Sequence, residues 1–305
     1  MILNKTIPAV LITVFSILIS VRPTLANITV SESPTALRAK SIRVGPSEGV
    51  QAVPVLRFRI KAEGAAETVT NVSVLVEGAA LPSTLYLYNG STLLSSRVYH
   101  PEGVSFSDLE LEFQSGAYLD VTIKASYPST TSGWSMTKLA SVTKVSKGKL
   151  VPISEITGPK HHLFTSAVAD WSLASTPTIH TATTHSGYTI SMTATFVFNV
   201  TAIGDNIAQP GVEDFVIVAK RGDGAPIKCT SYSVVTIPNN AIADGSTARV
   251  VINASLIAND LTHSGLYGFS VQQISWGTTT SGKVNQGWGL EDFKTPSLIN
   301  VVVPQ

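Results

Sequence analysis

Apolar and polar residues alternate with period two along most of this chain, and no segment carries the 3.6-residue stripe of an amphipathic helix. Val55-Leu56-Arg57-Phe58-Arg59-Ile60-Lys61 sets its cations on one side and its apolar residues on the other. Val72-Ser73-Val74-Leu75-Val76 repeats the texture. Leu85-Tyr86-Leu87-Tyr88 then meets Asn89-Gly90, whose tolerance of positive φ predicts a type I′ hairpin turn and a returning strand over 92–99. Val104-Ser105-Phe106, the Leu109 to Phe113 run and Tyr118 to Ser126 continue the pattern. In the second half, Tyr188 to Val200 alternates with Ile190, Met192, Ala194, Phe196 and Phe198 on one face. Phe215 to Ala219, Tyr232 to Ile237, Arg249 to Ala254 and Leu266 to Ile274 follow. Between them lie turns at Gly222-Asp223-Gly224, Pro238-Asn239-Asn240 and Ala243-Asp244-Gly245. Short β-branched strands about ten residues apart, separated by turn residues, describe antiparallel β-sandwiches.

Two other patterns set the organisation. Ser126-Tyr127-Pro128-Ser129-Thr130-Thr131-Ser132-Gly133 is echoed by Ser275-Trp276-Gly277-Thr278-Thr279-Thr280-Ser281-Gly282, at a constant offset of 149 residues. Thr-Thr-Ser-Gly alone is within reach of chance in so hydroxyl-rich a chain. The preceding runs, opened by Tyr118 and Tyr267, favour a duplicated domain. At the other extreme, residues 1–26 read as a secretory signal: Lys5 supplies the positive start, Ile7 to Val21 the apolar stretch, and Thr24-Leu25-Ala26 the cleavage pattern before Asn27. That stretch is shorter than the ~20 residues a membrane-spanning helix needs. An uncleaved N-terminal anchor is the other reading. The expected plan is a signal peptide over 1–26, a first β-sandwich over 27–154, a linker or edge segment over 155–178 and a second β-sandwich over 179–305.

The run Leu85 to Ser91, its returning strand, Phe106, the Leu109 to Phe113 alternation and Tyr118-Leu119-Asp120-Val121-Thr122-Ile123-Lys124-Ala125 together resemble one immunoglobulin-like β-sandwich unit. Such units occur in tandem in exported microbial surface proteins. The resemblance implies an all-β fold of two tandem antiparallel immunoglobulin-like sandwiches after a cleaved signal peptide, displayed outside the cytoplasm. It carries no catalytic residues over, and the antibody-type Cys…Trp…Cys core is absent.

Charge and cysteine usage narrow the partners. Without Lys5 and Arg22 the chain has 19 basic against 20 acidic residues, a net charge of −1. That balance argues against nucleic acid and against an anionic membrane as partners. Charged residues make only 13% of the chain, while Ser and Thr supply 68 of 305 residues, so hydroxyls replace charges on the solvent-facing side of strands. Cys229 stands alone as a free thiol, so no internal disulfide is available and each core must hold its own domain.

The chemical motifs are weak in context. Gly45-Pro46-Ser47-Glu48-Gly49 has the letters of a nucleophile elbow, but Pro54 and the valines that follow oppose the helix it requires. Ser135-Met136-Thr137-Lys138 and Ser141-Val142-Thr143-Lys144 fit S-x-x-K without its companion motifs. His161, His162, His180, His185 and Asp170 offer zinc ligands at spacings that suit no helix or strand face. Asp205-Asn206, Glu213-Asp214 and Glu291-Asp292 offer loop oxygens for calcium but no calcium-loop motif. No catalytic, cofactor or metal site is therefore assigned. Asn27, Asn71, Asn89, Asn199 and Asn253 each head an N-x-S/T sequon, with Asn89 expected in an accessible turn. Tyr86, Tyr88, Tyr99, Trp134, Trp171 and Trp276 are candidates for a carbohydrate-stacking platform, with core packing as the alternative. Trp288, between Gly287 and Gly289, is expected to be an exposed loop aromatic.

The functional expectation is a non-enzymatic secreted or cell-surface structural or adhesive protein. Its expected partners are surface proteins or glycans. Two alternatives remain: a filament subunit completed by a neighbour's strand, since the mature ends 27–31 and 298–303 are apolar and strand-length, and a carbohydrate-binding module or carbohydrate-active enzyme.

Overall fold

Alternation becomes pairing along the whole described chain. The computed structural model describes residues 27–145, 149–238, 240–257, 260–278, 282–296 and 299–303. The signal segment 1–26 and the residues 279–281 of the second repeat copy lie outside them. No α-helix interrupts the strands among the described residues, and a 3₁₀ turn at Val212–Asp214 is a short exception.

The first sandwich is laid down as β1 (Asn27–Glu32), β2 (Ser41–Arg43), β3 (Val50–Glu63), β4 (Glu67–Gly78), β5 (Thr84–Asn89) and β6 (Thr92–Val98). It continues with β7 (Val104–Phe106), β8 (Leu111–Phe113), β9 (Tyr118–Tyr127), β10 (Gly133–Lys144), β11 (Lys149–Leu150) and β12 (His161–Phe164). One sheet has the order β1-β3-β9-β5-β6 and the other β2-β12-β10-β4-β7. Alternation fills the space between them: Phe58, Ile60, Leu85, Leu87, Phe106, Val121 and Ile123 are fully buried. A bulge between Pro54 and Leu56 turns both Val55 and Leu56 inward and restores Arg57, Arg59 and Lys61 to the outer face.

The second sandwich contains β13 (Val168–Leu173), β14 (Thr178–Thr183), β15 (Thr189–Ile203), β16 (Phe215–Arg221) and β17 (Pro226–Lys228). After these come β18 (Ser231–Ile237), β19 (Thr247–Ile257), β20 (Gly265–Trp276), β21 (Val284–Gln286) and β22 (Ile299–Val301). Its sheets run β13-β15-β19-β18 and β17-β16-β20-β21. In immunoglobulin lettering these are A-B-E-D and C′-C-F-G. The first sandwich follows the same plan, with β1-β3-β9-β5 as A-B-E-D and β12-β10-β4 as G-F-C. Its β2 runs parallel to β12, and the β5–β6 hairpin is an addition. The fold is all-β and immunoglobulin-like, in two tandem antiparallel sandwiches.

Tyr267 adds a feature of that lettering. It lies near the start of strand F, is buried, and donates its hydroxyl to the carbonyl of His263, four residues upstream, at 2.8 Å. This is the tyrosine corner of immunoglobulin-like domains.

Four expectations are corrected. Of the linker or edge segment expected over 155–178, the linker reading fails: Ile156 and Leu163 belong to the first core, and β12 and β13 are strands of the two domains, β13 at the edge of its sheet. The connection shrinks to 165–167. The echoed segments occupy different places, since 128–132 cross between the two sheets from E to F whereas β20 and β21 form an F–G hairpin within one sheet. Tyr118 is 59% exposed while Tyr267 is 1% exposed, so the echo does not mark a duplicated position. The β5–β6 hairpin pairs Asn89 with Thr92 across Gly90-Ser91, and only Gly90 has positive φ (57°), which fits a type II′ turn and not I′. Finally, Ile190 leaves the buried stripe of Met192, Ala194, Phe196 and Phe198, being 45% exposed near the strand's start.

Candidate functional site

The side chains of greatest interest gather where the two sandwiches meet. Phe164 ends β12, Val168 begins β13, and the three residues between leave the domains no room to separate far. The 38–43 segment of the first domain lies against the β21 region of the second. Gly289 there has φ +69°, and a Cβ on it would stand 2.3 Å from the carbonyl oxygen of Ala39, so only glycine permits this approach.

Trp288 is held in this contact. Its ring stacks on His162 at 3.6 Å between centroids and 13° between planes, and lies 6.4 Å from Phe164. Its Nε1 donates to Ser41 Oγ at 3.1 Å. Ser41 Oγ donates in turn to Gln286 Oε1 at 3.4 Å, which also accepts Trp276 Nε1 at 3.1 Å. Gln286 Nε2 donates to the Trp288 carbonyl at 3.0 Å. The relay closes on itself and satisfies a buried amide and two indoles of the second domain, with Ser41 as the first domain's member. Trp288 is therefore half-buried, contrary to the exposed loop aromatic that its glycine neighbours suggest.

The histidine pair has a structural use here. His161 is buried: Nδ1 accepts the Lys40 backbone N–H at 3.2 Å, which leaves Nε2 protonated to donate to the Pro54 carbonyl at 3.0 Å. Burial lowers its pKa. His162 is pushed down to about 4, by desolvation first and then by the charges of Lys160 and His161. Both rings are neutral at pH 7, so the Trp288 stack is a contact of uncharged rings. Beside it a cleft of about 380 Å³ opens between the domains, lined by Arg38, Lys40, Asp170, Trp171, Asp292 and Phe293. The Arg38–Asp292 ion pair spans it at 2.5 Å.

The other candidate groups lie apart. Among the described residues no group of three or more His, Cys, Asp and Glu side chains could hold a metal. His180 and His185 are exposed on the second domain, away from the histidine pair. Glu213 and Asp214 meet Lys283 at 3.4 and 2.5 Å, and Asp205 accepts the Asn206 N–H. Gly45 and Gly49 exchange backbone hydrogen bonds around Pro46-Ser47-Glu48, a closed turn with no helix after it. Both S-x-x-K matches lie on β10.

Cys229 is 1% exposed, and desolvation, aided by Asp260, pushes its thiol up to about 12, so it is no nucleophile at neutral pH. Among the sequons, Asn27, Asn89 and Asn199 are exposed. Asn71 Nδ2 donates to Ser105 Oγ at 2.6 Å and Asn253 Nδ2 to Ser233 Oγ at 3.1 Å. Those two amides serve cross-strand ladders. Of the stacking candidates, Trp171 and Trp276 are core residues, Tyr99 packs against the first core, and Trp134 stands under Lys160 at 4.2 Å. Only Tyr86 and Tyr88 share an outer face, 6.5 Å apart.

No family model matches the chain, and no curated protein does. Among solved structures, the crystal structure of the class 5 fimbriae chaperone CfaA aligns over 92% of this chain and 100% of its own. Identity is 9% and the TM-score 0.20, and at that score the match carries no argument.

Proposed function

We propose that the chain is a non-enzymatic structural or adhesive protein displayed outside the cytoplasm, with its two sandwiches working as one arm. The observation that carries this reading is the closed junction relay of Trp288, Ser41, Gln286 and Trp276. It ties together two domains that would otherwise move independently. An arm that transmits or resists force between a surface and a partner needs such a tie. Export rests on the Lys5, Ile7 to Val21 and Thr24-Leu25-Ala26 pattern. Several carboxylates that an acid–base pair would require are spent on cations: Asp120 on Arg59, Asp214 on Lys283, Asp292 on Arg38 and Glu77 on Lys138.

The strand-donating filament is less favoured by the same geometry. Asn27–Glu32 pairs in full with Phe58–Glu63, and Ile299–Val301 with Gly265–Tyr267, so each end strand already has a partner in its own domain. Immunolabelling of intact source cells, with adhesion measured before and after deletion of the gene, tests the reading. Surface label together with lost adhesion, restored by the intact gene, is expected. Label confined to permeabilised cells, or unchanged adhesion, overturns it.

A further inference from the structure

The outer face of the β1-β3-β9-β5-β6 sheet brings cations and aromatic rings together. Register places Lys61 beside Tyr118, Arg59 beside Asp120, Thr122 between Arg57 and Tyr88, and Lys124 beside Tyr86. These four rows are two residues apart along β9, about 20 Å from first to last. Rings and cations interleave: the Arg59 guanidinium lies 4.1 Å over Tyr118, and Lys124 Nζ 4.0 Å over Tyr88.

The charge is unbalanced. Arg57, Arg59, Lys61 and Lys124 face out with only Asp120 and Glu63 among them. Asp120 is held by Arg59 at 2.9 and 2.7 Å, and its pKa is lowered by that hydrogen bond above all, with Arg57 adding its charge. Lys61 meets Glu63 at 3.3 Å. Arg57 and Lys124 form no ion pair among the described residues. Arg57 bonds instead to Thr122 and Thr35, which fixes its guanidinium beside the Tyr88 row. Residues 27–305 carry a net charge of −1, so this is a local positive excess, held on rigid strands.

We infer that this face binds an acidic polysaccharide, with sugar rings stacked on Tyr86 and Tyr88 and sugar carboxylates met by Arg57 and Lys124. This deepens the adhesive reading and rests on it. Two facts choose the occupant. Half-exposed tyrosines offer the flat, partly apolar surfaces on which pyranose rings stack, and the flanking cations supply complementary charge. A local excess of about two charges is too small to neutralise a duplex that carries one phosphate per ~1.7 Å.

The test uses residues 27–305 as one chain and polygalacturonate as the probe, with neutral dextran, poly-glutamate and duplex DNA as comparisons. Polygalacturonate should bind and dextran should not. Binding should weaken at least tenfold between 50 and 300 mM salt, as expected of charge-dominated contacts. Arg57→Gln with Lys124→Gln, and separately Tyr88→Ala, should each weaken it about tenfold or more. Arg249→Gln on the second sandwich should change nothing. Thermal melting of each variant checks that the fold persists, and the two kinds of variant serve as replacements for one another should either unfold. No polygalacturonate binding at low salt, an equal loss with Arg249→Gln, or equal affinity for poly-glutamate or DNA overturns the inference. Cells that carry Arg57→Gln with Lys124→Gln and still adhere normally would refute this face while leaving the adhesive reading intact.

Discussion

The two sandwiches share a strand plan but cover their outer faces with opposite chemistry. The first presents arginines, lysines and tyrosines on β3, β9 and β5. The second presents hydroxyls and amides: Thr178, Thr195, Asn253 and Ser233 lie in one cross-strand row over β14, β15, β19 and β18. Thr195 Oγ1 donates to Asn253 Oδ1 at 2.7 Å, and Asn253 Nδ2 to Ser233 Oγ at 3.1 Å. Thr193 and Ser255 pair likewise at 2.7 Å. The inner faces had little freedom, since both must fill a dry space with β-branched and aromatic side chains in period two. Outer faces need only stay soluble, so their divergence records use and not folding.

The strongest way to break the comparison is to empty one core and watch the other. Phe198 is fully buried and its ring lies 5.0 to 6.5 Å from those of Phe293, Trp171, Phe196 and Phe215. Phe198→Ala should cost the second sandwich about 3–5 kcal/mol. Calorimetry should show its transition moving down well ahead of that of the first sandwich. Equal movement of both would mean that the two halves unfold as one unit, and that each core is not sufficient for its own domain.

A smaller effect is expected at the junction. Gln286→Leu keeps the volume roughly but leaves the buried Trp276 N–H without its acceptor, and should cost about 1–3 kcal/mol. The two thermal transitions should move apart, because the tie between the domains is lost. The same junction has a pH signature. His161 and His162 are neutral in the folded chain, with pKa values below the ordinary 6.5 and that of His162 at about 4. The unfolded chain therefore takes up more protons between those limits. Stability should be flat with respect to these groups above pH 6.5 and decline as pH falls toward about 4. Melting temperature against pH should show a shallower decline in His162→Phe, which keeps a ring under Trp288 and removes one titration. An unchanged slope would take His162 out of the account.

Tyr267→Phe comes next. It removes the hydroxyl bonded to the His263 carbonyl, with an expected loss of about 1 kcal/mol read by urea unfolding of the second sandwich. The first sandwich has no counterpart at the start of its own strand F, where Gly133 and Trp134 stand. A loss near zero would show that the tyrosine corner is not what distinguishes the second domain.

How much of this was legible depended on the range of the cause. Period two on β3 and β15 is written in adjacent residues, so the all-β fold and most of the two cores can be read directly. The bulge at Pro54 explains why Val55 and Leu56 could not both be placed by alternation alone. The domain boundary was obscured because β12 and β13 are short and are covered partly by the opposite domain. Leu163 and Val168 are buried in their own cores, while His162 and Phe164 are covered by Trp288 and Trp276 of the other domain. Trp288 and Ser41 are 247 residues apart in sequence, and nothing local announces their contact. Tyr267 did carry a signal, an aromatic opening an alternating run just after the His263 turn, but the echo of 126–133 drew the comparison with Tyr118 instead. That echo is local word similarity at unlike positions of the two domains.

The smallest effect bears on the outer faces themselves. Thr195→Val preserves a β-branched side chain on β15 and deletes the donor to Asn253, so the second sandwich should lose only about 0.5 kcal/mol. Arg59→Gln deletes the two-pronged pair with Asp120 on the first sandwich, a surface pair whose loss should also leave stability little changed. Urea unfolding would measure both. If outer faces are free of folding demands, these changes barely alter stability, and they part company only in binding: polygalacturonate affinity should survive Thr195→Val and weaken with Arg59→Gln. A loss of several kcal/mol from Thr195→Val would mean that the hydroxyl ladder is a structural requirement of the second sandwich. Its divergence from the charged face would then reflect how the domain folds.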